Sequence, residues 1–406
     1  MTSRALFSPA PVLLLGGLLL AFGAYLDIPV LRVPGELVAN TIFGVGLSPD
    51  ELRARYWTGP LPILIVPGHD NASRGTQFRG LKEGDLNVTL GYLLYDVLAK
   101  DPRFVPMINR TPDGEYALWF ASYMKENRVA IQEFRTQSKV KTRYFATQGL
   151  YDPRRLVHHN PAADNVSVAL YAVNKWANDQ DVPVVLHLHF NDYPRRKKTE
   201  VGEYSGFAIY VPEGQLPNAG VSTALAEMLA ERLGRVVGPS NLPGEKGPIV
   251  PDQELIAVGS NGSRNGASAV IEYSYIYEPQ LHDPEVRQLF LRELAHQTYL
   301  GLKAFFDPGV LAYAGVPPTT LLPYEWTSKT VVDGMRGKEV FALQSALRIS
   351  GYYPPSGLSL ASCPLSGNYG PCTTFAVKAF QQAWGLAPSG SADEATLEAI
   401  KGIGAK

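Results

Sequence analysis

Hydrophobic positions along the chain fall into blocks of two kinds. Short apolar runs, rich in branched residues and ended by Pro, Gly or polar residues, read as buried strands. They are LPILIVP (61–67), FVPMI (104–108), PVVLHLHF (183–190), GFAIYVP (206–212) and SAVIEYSYI (268–276). Between them lie segments with helical periodicity. In 85–100, Leu86, Leu90, Leu93, Leu94, Val97 and Leu98 share one face, and 223–237 and 283–306 are likewise amphipathic. Residues 115–180 hold polar helical stretches, a basic cluster (KVKTR) and the pair His158-His159, and their periodicity is weaker. Strands alternating with helices predict a layered α/β domain over 60–306, with a central mixed, mostly parallel sheet flanked by helices. Residues 307–333 are Pro-rich and aperiodic and read as a linker. A small three-helix module follows at 334–402. Within it Val340, Leu343 and Leu347 make one apolar stripe, and Phe375, Ala379, Phe380 and Trp384 another.

The N-terminus is different. Residues 5–26 carry no charge, and Arg4 is the only side-chain charge before them. Pro9 and Pro11 shorten the helical part towards the length of a signal-peptide core, so 1–30 read either as a secretory signal or as an N-terminal membrane anchor. Residues 31–59 are Pro-containing and read as a connector. Export follows from either reading: periplasm, cell wall or outer face of the membrane.

Composition narrows the class. At 406 residues, 45% hydrophobic and 18% charged, the chain has ordinary globular composition. A net charge of −1 gives no electrostatic case for nucleic acid or an anionic membrane surface. The two cysteines, Cys363 and Cys372, would close a small loop in an exported protein.

The candidate chemistry lies where predicted strands end. His69 follows the first strand, Glu83 precedes the first long helix, and His189 and Glu272 lie near the ends of later strands. Open α/β sheets gather ligands outside the carboxyl ends of their strands. Two histidines and one carboxylate can hold zinc and leave a fourth position open, which points to hydrolysis. His187 lies two residues from His189 on the same strand face. It is either a supporting donor or the ligand in place of His189, which is preferred. Glu272 within an apolar strand is costly unless paired or near a metal. Arg264 and Asn265, just before that strand, are either substrate contacts or a loop-stabilising pair. His158, His159, His282 and His296 read as loop or structural residues.

These residues sit in recognisable company. Pro67-Gly68-His69, Gly75, Gly80, Glu83 and Asp85-Leu86-Asn87 resemble the opening of zinc-dependent N-acetylmuramoyl-L-alanine amidases of the amidase 3 type. Arg110, Thr111 and Asp113 in INRTPD, His189 and Asn191 in LHLHFND, and Glu272 in AVIEYSYI continue the resemblance in order over 61–306. It implies zinc held by His69, Glu83 and His189. Glu272 would be the general base that takes a proton from the attacking water and passes it to the leaving nitrogen. Asn191 would contact substrate. Val66 stands where the family has an acidic residue. In some family members an inserted segment blocks the site until a protein activator lifts it. Residues 115–165 are the place for such a segment, for a substrate-contacting flap or for a surface excursion.

The C-terminal module resembles the peptidoglycan-binding type 1 domain, through Val340, Leu343-Gln344, Leu347, Gly351-Tyr352-Tyr353, Gly367 to Gly370, Thr374, Ala376-Val377, Ala379-Phe380-Gln381, Gly385-Leu386, Gly390 and Thr396. It implies peptidoglycan as partner, with Tyr352, Tyr353, Tyr369 or Gln382 as contacts. The combined expectation is cleavage of the amide between N-acetylmuramic acid and L-alanine. The alternatives are a zinc peptidase acting within the stem peptide and an inactive wall-binding protein.

Overall fold

The computed structural model describes residues 46–401, apart from 155–156, 160, 193–195, 260–261, 264 and 310–316. Residues 1–30, and most of the predicted connector, lie outside the described residues. The connector ends in a helix, α1 (Pro49–Thr58), which Ser48 and Glu51 start with a reciprocal capping box. It buries Leu52 and Tyr56.

The central sheet has six strands in the order β4-β1-β5-β8-β6-β7. These are β1 (Leu61–Pro67), β4 (Phe104–Ile108), β5 (Val184–Asn191), β6 (Ala208–Pro212), β7 (Ile249–Asp252) and β8 (Ala267–Tyr275). All neighbours are parallel except β6 and β8, so the sheet is mixed and mostly parallel as the sequence pattern implies. A two-stranded ribbon, β2 (Gln77–Phe78) and β3 (Leu81–Lys82), precedes helix α2 (Glu83–Ala99). Glu83 is the first residue of that helix, not the residue before it.

Side-chain alternation divides each strand between two cores. Val184, Leu186, Leu188 and Phe190 of β5 pack with Ile271 and Tyr273 of β8 against α2, α6 (Ala219–Leu233) and α7 (Pro284–Phe306). On the other face, Leu64, Val66 and Val185 pack against Phe120, Ile131 and Tyr171. Those three lie on α3 (Leu118–Glu126), α4 (Arg128–Thr147) and α5 (Asp164–Asp179). Residues 115–165 therefore supply part of the second layer. Their return, near 152–159, is tied to the β6–β7 edge: Asp152 N–H donates to Gln215 (2.8 Å), Arg154 N–H to Gln253 (2.8 Å), and His159 pairs with Asp252 (2.9 Å).

The C-terminal module contains α8 (Lys338–Ile349), α9 (Pro371–Ala383) and α10 (Glu394–Lys401). Its core is Val340, Leu343, Leu347, Ala376, Val377, Phe380, Leu397 and Ile400. The second predicted stripe is corrected here: Phe380 is buried, but Phe375, Ala379 and Trp384 face solvent. Tyr353 and Tyr369 are also buried, their hydroxyls donating to the carbonyls of Pro364 and Gly390, so neither offers a free face to a ligand. Cys363 and Cys372 form a disulfide with Cα atoms 5.9 Å apart.

The module is docked. Phe341 meets Phe290 of α7 edge-on, and the Arg348 guanidinium donates to the carbonyls of Gly234 and Arg235 (both 3.1 Å), capping the C-terminal end of α6. The predicted linker is laid along α7 where it is described. His296 and Gln297 bond the carbonyls of Pro317 and Pro318 (2.7 Å each), and Glu293 accepts from the Thr320 N–H and hydroxyl. Prolines cannot form a ladder, but their carbonyls accept these side chains.

Two tests address this packing. Lys303 lies buried with Asp101 (2.9 Å) and Tyr56 (2.7 Å), joining α1, α7 and the turn before β4. Lys303→Ala strands the Asp101 charge and should cost roughly 3 kcal/mol in denaturant unfolding. The second test is pH. Burial opposes the charge on Glu339, but hydrogen bonds from Ser328 and Thr327 outweigh it and hold the carboxyl at about 2. A carboxyl lowered by folding stabilises above its unfolded value, and that contribution is lost as pH falls towards the folded one. Thermal unfolding should therefore show a steeper loss of stability between about pH 4.5 and about pH 2 in wild type than in Glu339→Gln.

Candidate metal centre

β1 ends at Pro67, and after Gly68 comes His69 with a left-handed backbone (φ 66°). Non-glycine residues rarely adopt that region, and when they do the surroundings hold them there. The turn brings His69 Nε2 to 3.0 Å from Glu83 Oε2. From the neighbouring strand, His189 Nδ1 reaches 2.9 Å from Glu83 Oε1. The three side chains offer one donor atom each, all within 4.8 Å of one another.

Glu83 is 4% exposed and heavily supported. The Thr76 N–H donates to Oε2 (3.0 Å), and the Phe190 N–H (3.4 Å) and Asn87 Nδ2 (3.5 Å) approach Oε1. Its place in the first turn of α2 sets the carboxylate against the positive end of the helix dipole. Burial works against its charge, but the His189 and His69 hydrogen bonds outweigh burial and hold the carboxyl far below the usual range. The His69 ring responds in the opposite sense. Burial lowers it, yet the Glu83 partner raises it more.

Two glycines leave the room. A Cβ on Gly75 (φ +70) would lie 2.3 Å from Glu83 Oε2 and 2.7 Å from His69 Nε2, and one on Gly68 would lie 2.2 Å from the His189 ring. The cradle, together with two imidazoles and a carboxylate, fits the donor chemistry of zinc.

Glu272 stands directly beside His189 in the β5–β8 register, on the face that carries Val270 rather than Ile271. Its Oε2 is buried with no hydrogen-bond partner among the described residues. Burial, and then the nearby Glu83 and Glu245 carboxylates, push its proton affinity well above the ordinary range.

The structure separates the two strand histidines. His187 is 1% exposed, its Nε2 has no partner among the described residues, and it is outside the three-residue cluster. Burial and then His189 press its pKa down to about 3. Asn191 is close to the centre and donates to Glu245 (3.3 Å). Asn265 is not. It precedes β8 and bonds Asn178 at the end of α5 (3.4 and 3.2 Å), about 20 Å of strand away from Glu272. Arg264 lies outside the described residues.

Sequence reasoning missed Glu245, which is 4% exposed and accepts from the Tyr210 hydroxyl. Nothing in its local sequence, Pro-Gly-Glu-Lys-Gly-Pro, marks it. Arg110, quoted for the family resemblance, lies with its guanidinium 3.7 Å from the Tyr116 ring centre, and its Nε approaches the Pro67 carbonyl (3.5 Å) just before His69.

Residues 336–400 match the family model described as "Putative peptidoglycan binding domain". The zinc D-Ala-D-Ala carboxypeptidase of Streptomyces albus G is 43% identical over 77 residues, which are 19% of this chain and 28% of that enzyme. The chain thus spans little more than a quarter of the curated relative it matches. Among solved structures it is similar to the CwlD amidase of Clostridioides difficile in complex with the GerS lipoprotein. That likeness has 14% identity and a TM-score of 0.40 over 61% of this chain and 99% of that one. The N-acetylmuramyl-L-alanine amidase Ami1 of Mycobacterium abscessus is similar to the same extent, at 12% identity and a TM-score of 0.40, over 61% of this chain and 100% of that one.

The cradle gives the test. Gly75→Ala should weaken zinc binding at least about 100-fold in a chelator competition, the upper end of what disturbing a ligand's support costs. Gly80→Ala is the control, because a Cβ there meets nothing within 4 Å although its φ of +90 is equally strained.

Proposed function

We propose that this chain is a zinc-dependent hydrolase that cuts the amide between N-acetylmuramic acid and L-alanine in peptidoglycan, outside the cytoplasm. The observation that carries the reading is the convergence of His69, Glu83 and His189 with Glu272 in register beside His189. His69, Glu83 and His189 would hold the zinc. A zinc ion there would polarise the scissile carbonyl and make water a competent nucleophile near neutral pH.

The chain's own residues supply the rest. Glu272 accepts the proton of the attacking water and delivers it to the amide nitrogen as the bond breaks. A raised proton affinity suits a carboxylate that both takes and returns a proton. Glu83 stays ionised, because two histidines and the Thr76 amide hold its charge. Asn191, whose amide donates to Glu245, would orient a substrate amide or sugar hydroxyl.

The module supports the substrate class. A peptidoglycan-binding match at 336–400 would keep the enzyme on the polymer and raise the local concentration of scissile bonds. The disulfide fits an oxidising compartment outside the cytoplasm. Among the described residues no helix is long and apolar enough to cross a membrane.

Purified peptidoglycan treated with the zinc-loaded chain should release stem peptides that begin at L-alanine, read by mass spectrometry. Glu272→Gln should lower the rate by about 10²–10⁴-fold while zinc affinity is kept. Cleavage at a bond within the stem peptide would replace the amidase reading with a peptidase. Binding to the wall without cleavage would leave a binding protein.

A further inference from the structure

Beyond the ligand set lies a half-buried ion pair that no motif accounts for. Asp192 follows β5 three residues after His189, and Arg196 grips it with two hydrogen bonds, Nε to Oδ1 (2.6 Å) and Nη2 to Oδ2 (2.9 Å). The guanidinium packs against an edge-on pair of rings, Phe78 (5.3 Å) and Tyr277 (4.9 Å), with its side chain 8% exposed. Its remaining hydrogens go to the carbonyls of Gln77 (3.1 Å), Lys197 (3.0 Å) and Glu200 (3.0 Å). A planar, five-donor fork held this way is rigid.

The other side of Asp192 faces the metal loop. The Thr76 hydroxyl donates to Asp192 Oδ2, and the Thr76 N–H donates to Glu83 Oε2 (3.0 Å). One residue thus joins the carboxylate of the ion pair to the carboxylate of the ligand set. His69 and Glu83 belong to the β1–α2 side of the centre, and His189 belongs to β5. The loop from 70 to 82, which joins His69 to Glu83 within the first side, is anchored to the β5 exit by this pair.

We propose that Asp192 and Arg196 are positioning residues for the metal centre, acting through Thr76 on Glu83, so that the pair fixes the spacing between the two halves of the ligand set. The proposal rests on the zinc reading of His69, Glu83 and His189. A bidentate pair packed against two rings, with every guanidinium hydrogen bonded, is more than a surface salt bridge needs, and its bond to Thr76 gives it a route to a ligand oxygen.

Zinc affinity measured by chelator competition on the full chain tests this, with thermal unfolding of the metal-free protein alongside. Asp192→Asn and Thr76→Val should each weaken zinc binding by about 10–100-fold. The double variant should be no weaker than the worse single one, because both cut the same connection. Thr76→Ser, which keeps the hydroxyl, should bind as wild type does. Metal-free unfolding should move little in any of them. Wild-type affinity in Asp192→Asn and Thr76→Val, or losses that multiply in the double variant, would overturn the clamp. A loss matched by an equal fall in metal-free stability would overturn it too, as plain structural damage. Wild type that binds no zinc at all would instead overturn the zinc reading, and the clamp with it.

Discussion

The buried carboxylate of Glu83 is the constraint on which the rest of the centre depends. A charge that is 4% exposed needs partners on both oxygens, and the chain provides them from three separate segments. His69 comes from the end of β1, Thr76 from the loop between, and His189 from β5. The same residue opens α2, so the helix dipole and the two imidazoles stabilise one charge together. Displacing any of these segments would leave a buried anion short of a partner, which is why the left-handed backbone at His69 can be held.

The sheet turns this local constraint into a site. β1, β5 and β8 are adjacent and parallel, so their carboxyl ends lie together. Alternation puts Leu188 and Phe190 into one core and leaves His187 and His189 on the opposite face, level with Val270 and Glu272. Position along the strand then distinguishes equals. His189 reaches Glu83 beyond the end of β1, whereas His187 is two residues deeper and stays among packed side chains.

The chain also fixes how its two parts are arranged. Arg348 caps α6, Phe341 packs on Phe290, and the Pro-rich segment is bonded to α7 by His296, Gln297 and Glu293. On the proposed function, a peptidoglycan-binding match that is docked rather than tethered would present the polymer to the α/β domain in one orientation. Effective concentration then depends on geometry more than on linker length.

Strand and helix blocks, the mixed mostly parallel sheet, and the placing of His69, Glu83, His189 and Glu272 at neighbouring strand ends were legible in the sequence. Period and strand-end position report burial and direction directly. The disulfide was legible because only two cysteines exist and they lie nine residues apart. What the sequence could not yield were choices between equivalent residues and contacts between distant segments. His189 over His187 depends on depth in the sheet, and the placement of Asn265 depends on which end of β8 it occupies. The wrong stripe on α9 came from reading Phe375 and Trp384 as core by residue type, where the tertiary partner is on the other side. Glu245, Asp192 and Arg196 have no local signature at all, because a charge taken wholly or partly out of water is explained only by the partner that folding brings to it. Sequence determined which groups could do chemistry. Tertiary structure decided which of them meet, since hydrogen-bond partners 54, 106 and 116 residues apart are set by strand order and not by spacing.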